Sequence, residues 1–328
     1  MAILVTGGAG YIGSHMVALL NELNKEVVVL DNLSTGFKQS VRNNKLYVGD
    51  LRDDNIMSKL FMENKIESVI HFAADSQVGE SITNPLKYYD NNVYGTSRLL
   101  RYMIQHHVKY IVFSSTAAIY GNSGEKIINE QTPTNPESPY GESKLTIEKM
   151  ISWVSKSYDI NYTALRYFNA CGAHKSGLIG ESHKPETHLI PLVLQVALKK
   201  RKSIKIFGSD YNTPDGTCIR DYIHVSDLCN AHIKALEKMK KDQANGIYNL
   251  GNNSGYSVKE IINVAKKVTK RDIKSEVIGR RKGDPDILVA SNELAKRELN
   301  WEPKITKIEE IIKSVWKFME NFPEGYGE

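Results

Sequence analysis

An α/β class, with a doubly wound parallel sheet and a smaller mixed α/β lobe, is predicted by three observations. Short apolar runs alternate with helical spacing through the first 170 residues. Gly7, Gly10 and Gly13 fall between the first run and the first helical stretch. After Arg166 the alternation loses its regularity. Strand, helix, strand repeated in this way builds a parallel sheet with helices on both faces.

Taken in order, residues 2–6 form an apolar run that ends in glycines, as a buried parallel strand should. Ile12, Met16, Leu19, Leu20 and Leu23 then recur at helical spacing. Further strands are predicted at 26–30 (ending at Asp31), 45–48 (closed by Gly49), 68–73, 110–114 and 161–166. Helices are predicted near 54–64, 86–106 and 140–157. Residues 172–187, rich in Gly, His, Lys and Glu, read as a loop. A helix near 189–201, scattered short strands and an amphipathic helix near 306–320 follow. Residues 1–168 are therefore expected to form a dinucleotide-binding domain of Rossmann type and 169–328 a substrate lobe. A helix at 227–239 and a strand at 246–250 modify this cut, since residues of about 221–250 are expected to pack back onto the sheet.

The composition excludes several classes. With 41% apolar and 25% charged residues, the 328-residue chain is neither disordered nor fibrous. No apolar run approaches the roughly 18 residues of a membrane span. The start of the chain lacks the basic region of a signal peptide. Three cysteines, Cys171, Cys218 and Cys229, make no disulfide framework and match no zinc pattern, so a reducing cytoplasm and no metal are expected. A net charge of +5 suits an anionic small molecule and is too weak for nucleic acid.

Three motifs carry chemistry. In Gly7-Gly8-Ala9-Gly10-Tyr11-Ile12-Gly13 the glycines allow a tight turn and the close approach of a pyrophosphate to the following helix N-terminus. Asp31, at the end of the second strand, can accept both ribose hydroxyls of NAD and would repel the 2′-phosphate of NADP. A plain glycine turn and a helix cap are the bland alternatives. In Tyr140-Gly-Glu-Ser-Lys144 the phenol and the ammonium share one helix face. A nearby positive charge lowers a phenol's pKa from its usual value near 10, which turns an ordinary surface pair into a base. Ser114-Ser115-Thr116 ends the fifth strand, where an open parallel sheet binds its ligand.

These motifs resemble the extended short-chain dehydrogenase/reductase family, over essentially the whole chain. The likeness rests on Val5 to Gly13, Asp31-Asn-Leu-Ser-Thr-Gly36, His71-Phe-Ala-Ala74, Val78-Gly-Glu-Ser81, Tyr88 to Val93 and Ser138 to Lys144. It continues through Arg166-Tyr-Phe-Asn169, Asp215 to His224 and Gly279-Arg-Arg-Lys-Gly-Asp284.

The resemblance implies tightly bound NAD and interconversion of UDP-glucose and UDP-galactose through a transient 4-keto sugar. It assigns Tyr140 as base and acid, Lys144 as its electrostatic partner, and Thr116, with Ser115 beside it, as the hydroxyl position. It places Gly7, Gly10, Tyr11, Ile12, Gly13, Asp31, Asn32, Leu33, Ser34, Thr35, Gly36, Asp50, Leu51, Phe72, Ala73, Ala74, Ser76, Asn91, Ser114, Tyr167 and Phe168 around NAD, with Tyr140 and Lys144. It places Asn169, His188, Leu189, Phe207, Arg220, Tyr222, Arg281, Asp284 and Leu288 around the UDP-sugar, with Thr116 and Tyr140. His188 stands where some relatives have Asn, and Ser76 where some have a lysine. A homodimer built on residues 88–103 and 145–158 is also implied. Alternatives are a 4,6-dehydratase, a decarboxylase, or a non-catalytic NAD-binding regulator. A dehydratase needs an extra acid and base, and Ala117-Ala118 stand where it carries an Asp-Glu pair.

Overall fold

The computed structural model describes residues 1–281 and 284–327. Seven strands form one parallel sheet: β1 (Ala2–Thr6), β2 (Val27–Asp31), β3 (Lys45–Val48), β4 (Ile66–His71), β5 (Tyr110–Thr116), β6 (Asn161–Tyr167) and β7 (Gly246–Leu250). Their spatial order is β7-β6-β5-β4-β1-β2-β3. The chain first builds outward from β1 to β3, then restarts at β4 on the other side of β1. That reversal leaves a crevice beyond the carboxyl ends of β1 and β4, where ligands bind in such sheets.

Alternation within each strand feeds two cores. Ile3, Val5 and Val29 face one side and pack on Met16, Val17 and Leu20 of α1 (Tyr11–Glu22). The same layer holds Leu228, Ala231 and Ala235 of α3 (Val225–Asp242), and Trp301. Leu4, Val28, Val69, Ile111 and Phe113 face the other side, against Met57, Leu60, Leu99 and Met103, and against Ile147 and Ile151 of α2 (Pro139–Ser157). The strands read as continuous apolar runs because both faces are covered.

β7 pairs along β6, and Val225–Asp242 packs on one face of the same sheet. The exchange runs the other way too. Ile127–Ile128 leaves the first half of the chain to pair with Ile287–Ala290, in a four-stranded mixed sheet with Ile219–Arg220 and Tyr256–Ser257. Two more two-stranded sheets pair 169–171 with 222–224 and 204–207 with 275–278.

Two readings need correction. The stretch 86–106 is not one regular helix: Pro85–Tyr88 leads into a π-helical turn, Tyr89–Tyr94, before Gly95–Gln105 continues. Buried Asn92 sits in that turn, holding the backbone of Asp75 in both directions and meeting Ser143 of α2. Such a tertiary anchor has no periodicity to read. Residues 258–269 and 293–299 are helices, where only short strands were expected. The first carries a capping box between Ser257 and Glu260 and buries Ile261, Ile262 and Ala265.

Candidate active site

The glycine turn and the end of β2 are tied together. Gly7 has a φ of +68°, and a Cβ there would lie 2.6 Å from the Ala73 nitrogen. A Cβ on Gly13 would lie 2.1 Å from the Gly7 carbonyl oxygen, so only glycine lets α1 start this close to the sheet. Gly10 begins α1 with no side chain capping it, leaving backbone N–H groups and the positive dipole end toward the crevice. The Asp31 carboxylate accepts from Ala9 N and Leu33 N, both at 2.8 Å. Burial raises its pKa, and these backbone donors work against that rise.

A cavity of about 650 Å³ runs from this turn toward the smaller sheets. Of the residues expected around NAD, Gly7, Gly10, Tyr11, Ile12, Gly13, Asp31, Asn32, Ser34, Thr35, Asp50, Leu51, Phe72, Ala73, Ala74, Ser76, Asn91, Ser114, Tyr167 and Phe168 line it. Leu33 and Gly36 do not. Leu33 turns into the core with φ +58°, and Gly36 backs onto Ala9, 2.9 Å from where its own Cβ would stand. Asp75, Val78, Ile82 and Ser138 line the wall without having been expected. Among the described residues, the wall beside Asp31 carries Asn32, Ser34, Thr35 and Asp50 and no cation. Nearby Arg52 is held by Asp50 and Asp90.

Tyr140 and Lys144 lie on the first turns of α2, which Ser138 caps by accepting from Gly141 N at 3.2 Å, with Pro139 at the first helical position. Lys144 is only 3% exposed, and its Nζ donates to the Ser114 carbonyl at 2.9 Å. Burial lowers its pKa to about 7, against the pull of Glu148 one turn on. Burial raises the pKa of the Tyr140 phenol, and the Thr116 hydroxyl opposes the rise. Thr116, Tyr140 and Lys144 all face the cavity.

Ser115 does not. Alternation along β5 turns it to the opposite side, where its hydroxyl donates to Glu148. Glu148 in turn accepts from Arg166 at 3.0 and 2.6 Å, and Arg166 donates to the Tyr120 hydroxyl at 2.9 Å. Ser115 belongs to this buried network behind the site.

At the far end Asn169, His188, Arg220, Arg281, Asp284 and Leu288 line the cavity. Arg220 is fixed by Asp284 and by the carbonyls of Ile219 and Pro285, each at 2.7 Å. The Arg281 guanidinium lies 3.8 Å from the centre of the Phe207 ring. Leu189, Phe207 and Tyr222 stand behind this wall, Leu189 and Tyr222 within the core of the smaller lobe. Lys282 and Gly283 of the 279–284 motif lie outside the described residues.

His188 has company that was not foreseen: Glu181, His183 and Glu186 converge on it. His183 Nδ1 is 3.0 Å from Glu181 Oε1, and His188 Nδ1 meets the same oxygen. Burial works to lower the His183 pKa, but Glu181 and Glu186 prevail and raise it to about 10. The spacing Glu-x-His-x-x-Glu-x-His was visible in the sequence, inside a stretch read only as loop.

The anion-facing helix end, the glycine turn and the Asp31 carboxylate fit a dinucleotide without a 2′-phosphate. Protein denatured after purification is expected to release NAD⁺ or its reduced form, identified by mass. NADP as the main species would overturn the role given to Asp31.

Residues 3–251 match the family described as NAD dependent epimerase/dehydratase. The chain is 53% identical over 326 residues to UDP-glucose 4-epimerase of Halalkalibacterium halodurans, covering 99% of this chain and 98% of that one. A crystal structure of a UDP-glucose 4-epimerase superimposes with a TM-score of 0.99 at 50% identity, covering 100% of both chains. The crystal structure of UDP-glucose 4-epimerase from Bifidobacterium longum in complex with NAD⁺ and UDP superimposes with a TM-score of 0.92 at 38% identity, covering 99% of this chain and 100% of that one. The seven-stranded parallel sheet, the glycine turn closed on Asp31 and the match over residues 3–251 lead to one conclusion: this chain belongs to the NAD dependent epimerase/dehydratase family.

Proposed function

We propose that this chain interconverts UDP-glucose and UDP-galactose, using NAD that stays bound through the cycle. The observation that carries the reading is Tyr140, one helical turn from buried Lys144 and lining with Thr116 the wall of the cavity shared with the glycine turn. Full-length likeness to UDP-glucose 4-epimerases supports the same substrate pair.

When bound, NAD takes up and returns the hydride at sugar C4. The chain's residues handle the proton and the positions. Tyr140 Oη accepts the proton of the 4-hydroxyl and later returns it, while Thr116 orients the sugar oxygen. Lys144 and the charge on the oxidised nicotinamide stabilise the phenolate that burial alone disfavours. Arg220 and Arg281 suit a diphosphate, and Asn169 and Asp284 stand where a nucleoside can be gripped. A firm hold on UDP and a loose hold on the sugar let the 4-keto sugar turn over while the nucleotide stays fixed. Ala117 and Ala118 line the wall and offer no acid or base, which counts against a dehydratase.

A homodimer belongs to this reading. Tyr89 and Tyr94 on one segment, and Trp153 and Tyr158 at the end of α2, are exposed, Trp153 at 68%. Large apolar side chains left exposed on the two segments suit an interaction surface.

Three outcomes are expected. Tyr140→Phe keeps its fold and its cofactor and loses roughly 10² to 10⁴ in kcat; turnover within a few-fold of wild type would remove Tyr140 as the base. Sedimentation of the wild type gives a dimer, and Trp153→Glu shifts it toward monomer; a wild type that sediments as a monomer at micromolar concentration ends the dimer reading. Leu288, on the cavity wall, is smaller than the tyrosine that closes some related pockets. The wild type therefore epimerises UDP-N-acetylglucosamine measurably, and Leu288→Tyr lowers kcat/KM for that sugar more than for UDP-glucose. No N-acetyl activity in wild type, or equal losses for both sugars, would sink the wide pocket.

A further inference from the structure

Glu181, His183, Glu186 and His188 offer one ligand atom each, all within 4.8 Å of one another. Two are carboxylate oxygens and two are imidazole nitrogens, and both rings turn Nδ1 toward Glu181. In a tetrahedral site with bonds of about 2.0 to 2.1 Å, ligand atoms stand about 3.4 Å apart. Here His183 Nδ1 is 3.0 Å from Glu181 Oε1 and 3.9 Å from Glu186 Oε1. Small side-chain rotations bring such a set onto one ion.

The charges match as well. Two carboxylates and two neutral imidazoles sum to −2, which one dication neutralises. The Glu181 side chain is 2% exposed and Glu186 6%. Two carboxylates that deep need positive charge beside them, which either protonated His183 and His188 or one bound dication can supply. The donor set is nitrogen and oxygen with no thiolate, which suits zinc and its first-row neighbours rather than calcium or magnesium. We propose that Glu181, His183, Glu186 and His188 form a zinc-type divalent cation site that pins the 181–188 segment to the cavity wall. With four protein ligands it is a closed site that holds structure and does not activate water.

The position gives the ion a task. His188 is the residue before the helix Leu189–Ala197, and Glu181 lies at the other end of the chelated segment. The His183 ring meets Tyr11 edge-on, with centroids 6.2 Å apart, and Tyr11 donates to the Gly172 carbonyl at 2.6 Å. Tyr11 opens the helix behind the glycine turn. The cation would therefore fix one wall of the cofactor cradle from outside the reacting centre.

The competing arrangement is metal-free, with protonated histidines paired to Glu181 and Glu186. The test uses the full-length protein with its natural cofactor content, stripped with a chelator, desalted and titrated with Zn²⁺. Calorimetry and elemental analysis after dialysis are expected to give about one zinc per chain, and Co²⁺ to give the intense visible absorption of a four-coordinate site. His188→Asn, His183→Gln and Glu186→Gln should each weaken Zn²⁺ binding at least tenfold and dim the cobalt band. Zinc should also raise the melting temperature of wild type and not of His188→Asn. His188 is the most exposed of the four, so its variant is the one best able to fold if the others fail, as circular dichroism will show. Sub-stoichiometric zinc in the wild type overturns the proposal, as does binding that the variants leave unchanged, which would mark an adventitious surface ion.

Discussion

A buried ammonium sets the terms for the rest of the site. Lys144 has given up water for the Ser114 carbonyl and the Phe113 ring, and its pKa has fallen accordingly. Holding charge there takes help from Glu148, which is itself held by Arg166 and Ser115. The chain of contacts thus runs from the cavity through α2 to the far side of β5 and β6. Because Tyr140 shares a helix with Lys144 and Glu148, the same contacts fix where the phenol stands. One alternation of side chains along β5 divides the work: Ser114 and Thr116 serve the cavity, and Ser115 serves the support behind it.

The cofactor end depends on a second constraint, close approach of backbones. Gly7 and Gly13 are needed because other backbone atoms occupy the space a Cβ would take. Asp31 closes the same corner by accepting from Ala9 and Leu33. One carboxylate therefore fixes the turn and also lines the cavity wall. The two duties are compatible because a carboxylate has more lone pairs than two backbone donors use.

Much of this was legible in the sequence, since it rests on local rules. Parallel strands buried on both faces read as apolar runs, and the glycine turn and the Tyr140/Lys144 pair sit at fixed spacings. The return of 246–250 to the sheet was legible as a strand pattern. Most of what was not legible depends on contacts between distant segments. The π-helical turn at Tyr89–Tyr94 answers to Asn92 and its partners on another segment, and no period records that. Ser115 and Thr116 are neighbours of similar chemistry, separated only by the pleat. The helix at 258–269 differs, because its capping box and its i, i+3, i+4 apolar spacing are local signals present in the sequence. The Glu181 to His188 cluster needed the loop's path, which composition alone does not give.

The placement of β7 has a consequence for how the protein is made. It pairs with β6, yet it leaves the ribosome some eighty residues later. Until then the outer edge of β6 has no neighbour, and its free N–H and C=O groups can pair with any extended chain nearby. The intervening residues include the segments that build the smaller sheets and the helix Val225–Asp242 that covers this region. A nascent chain halted before residue 246 is thus a half-closed sheet with a sticky border. Chaperone demand during translation should peak over that stretch of the message, and C-terminal truncation ought to yield aggregates rather than a smaller soluble NAD-binding unit.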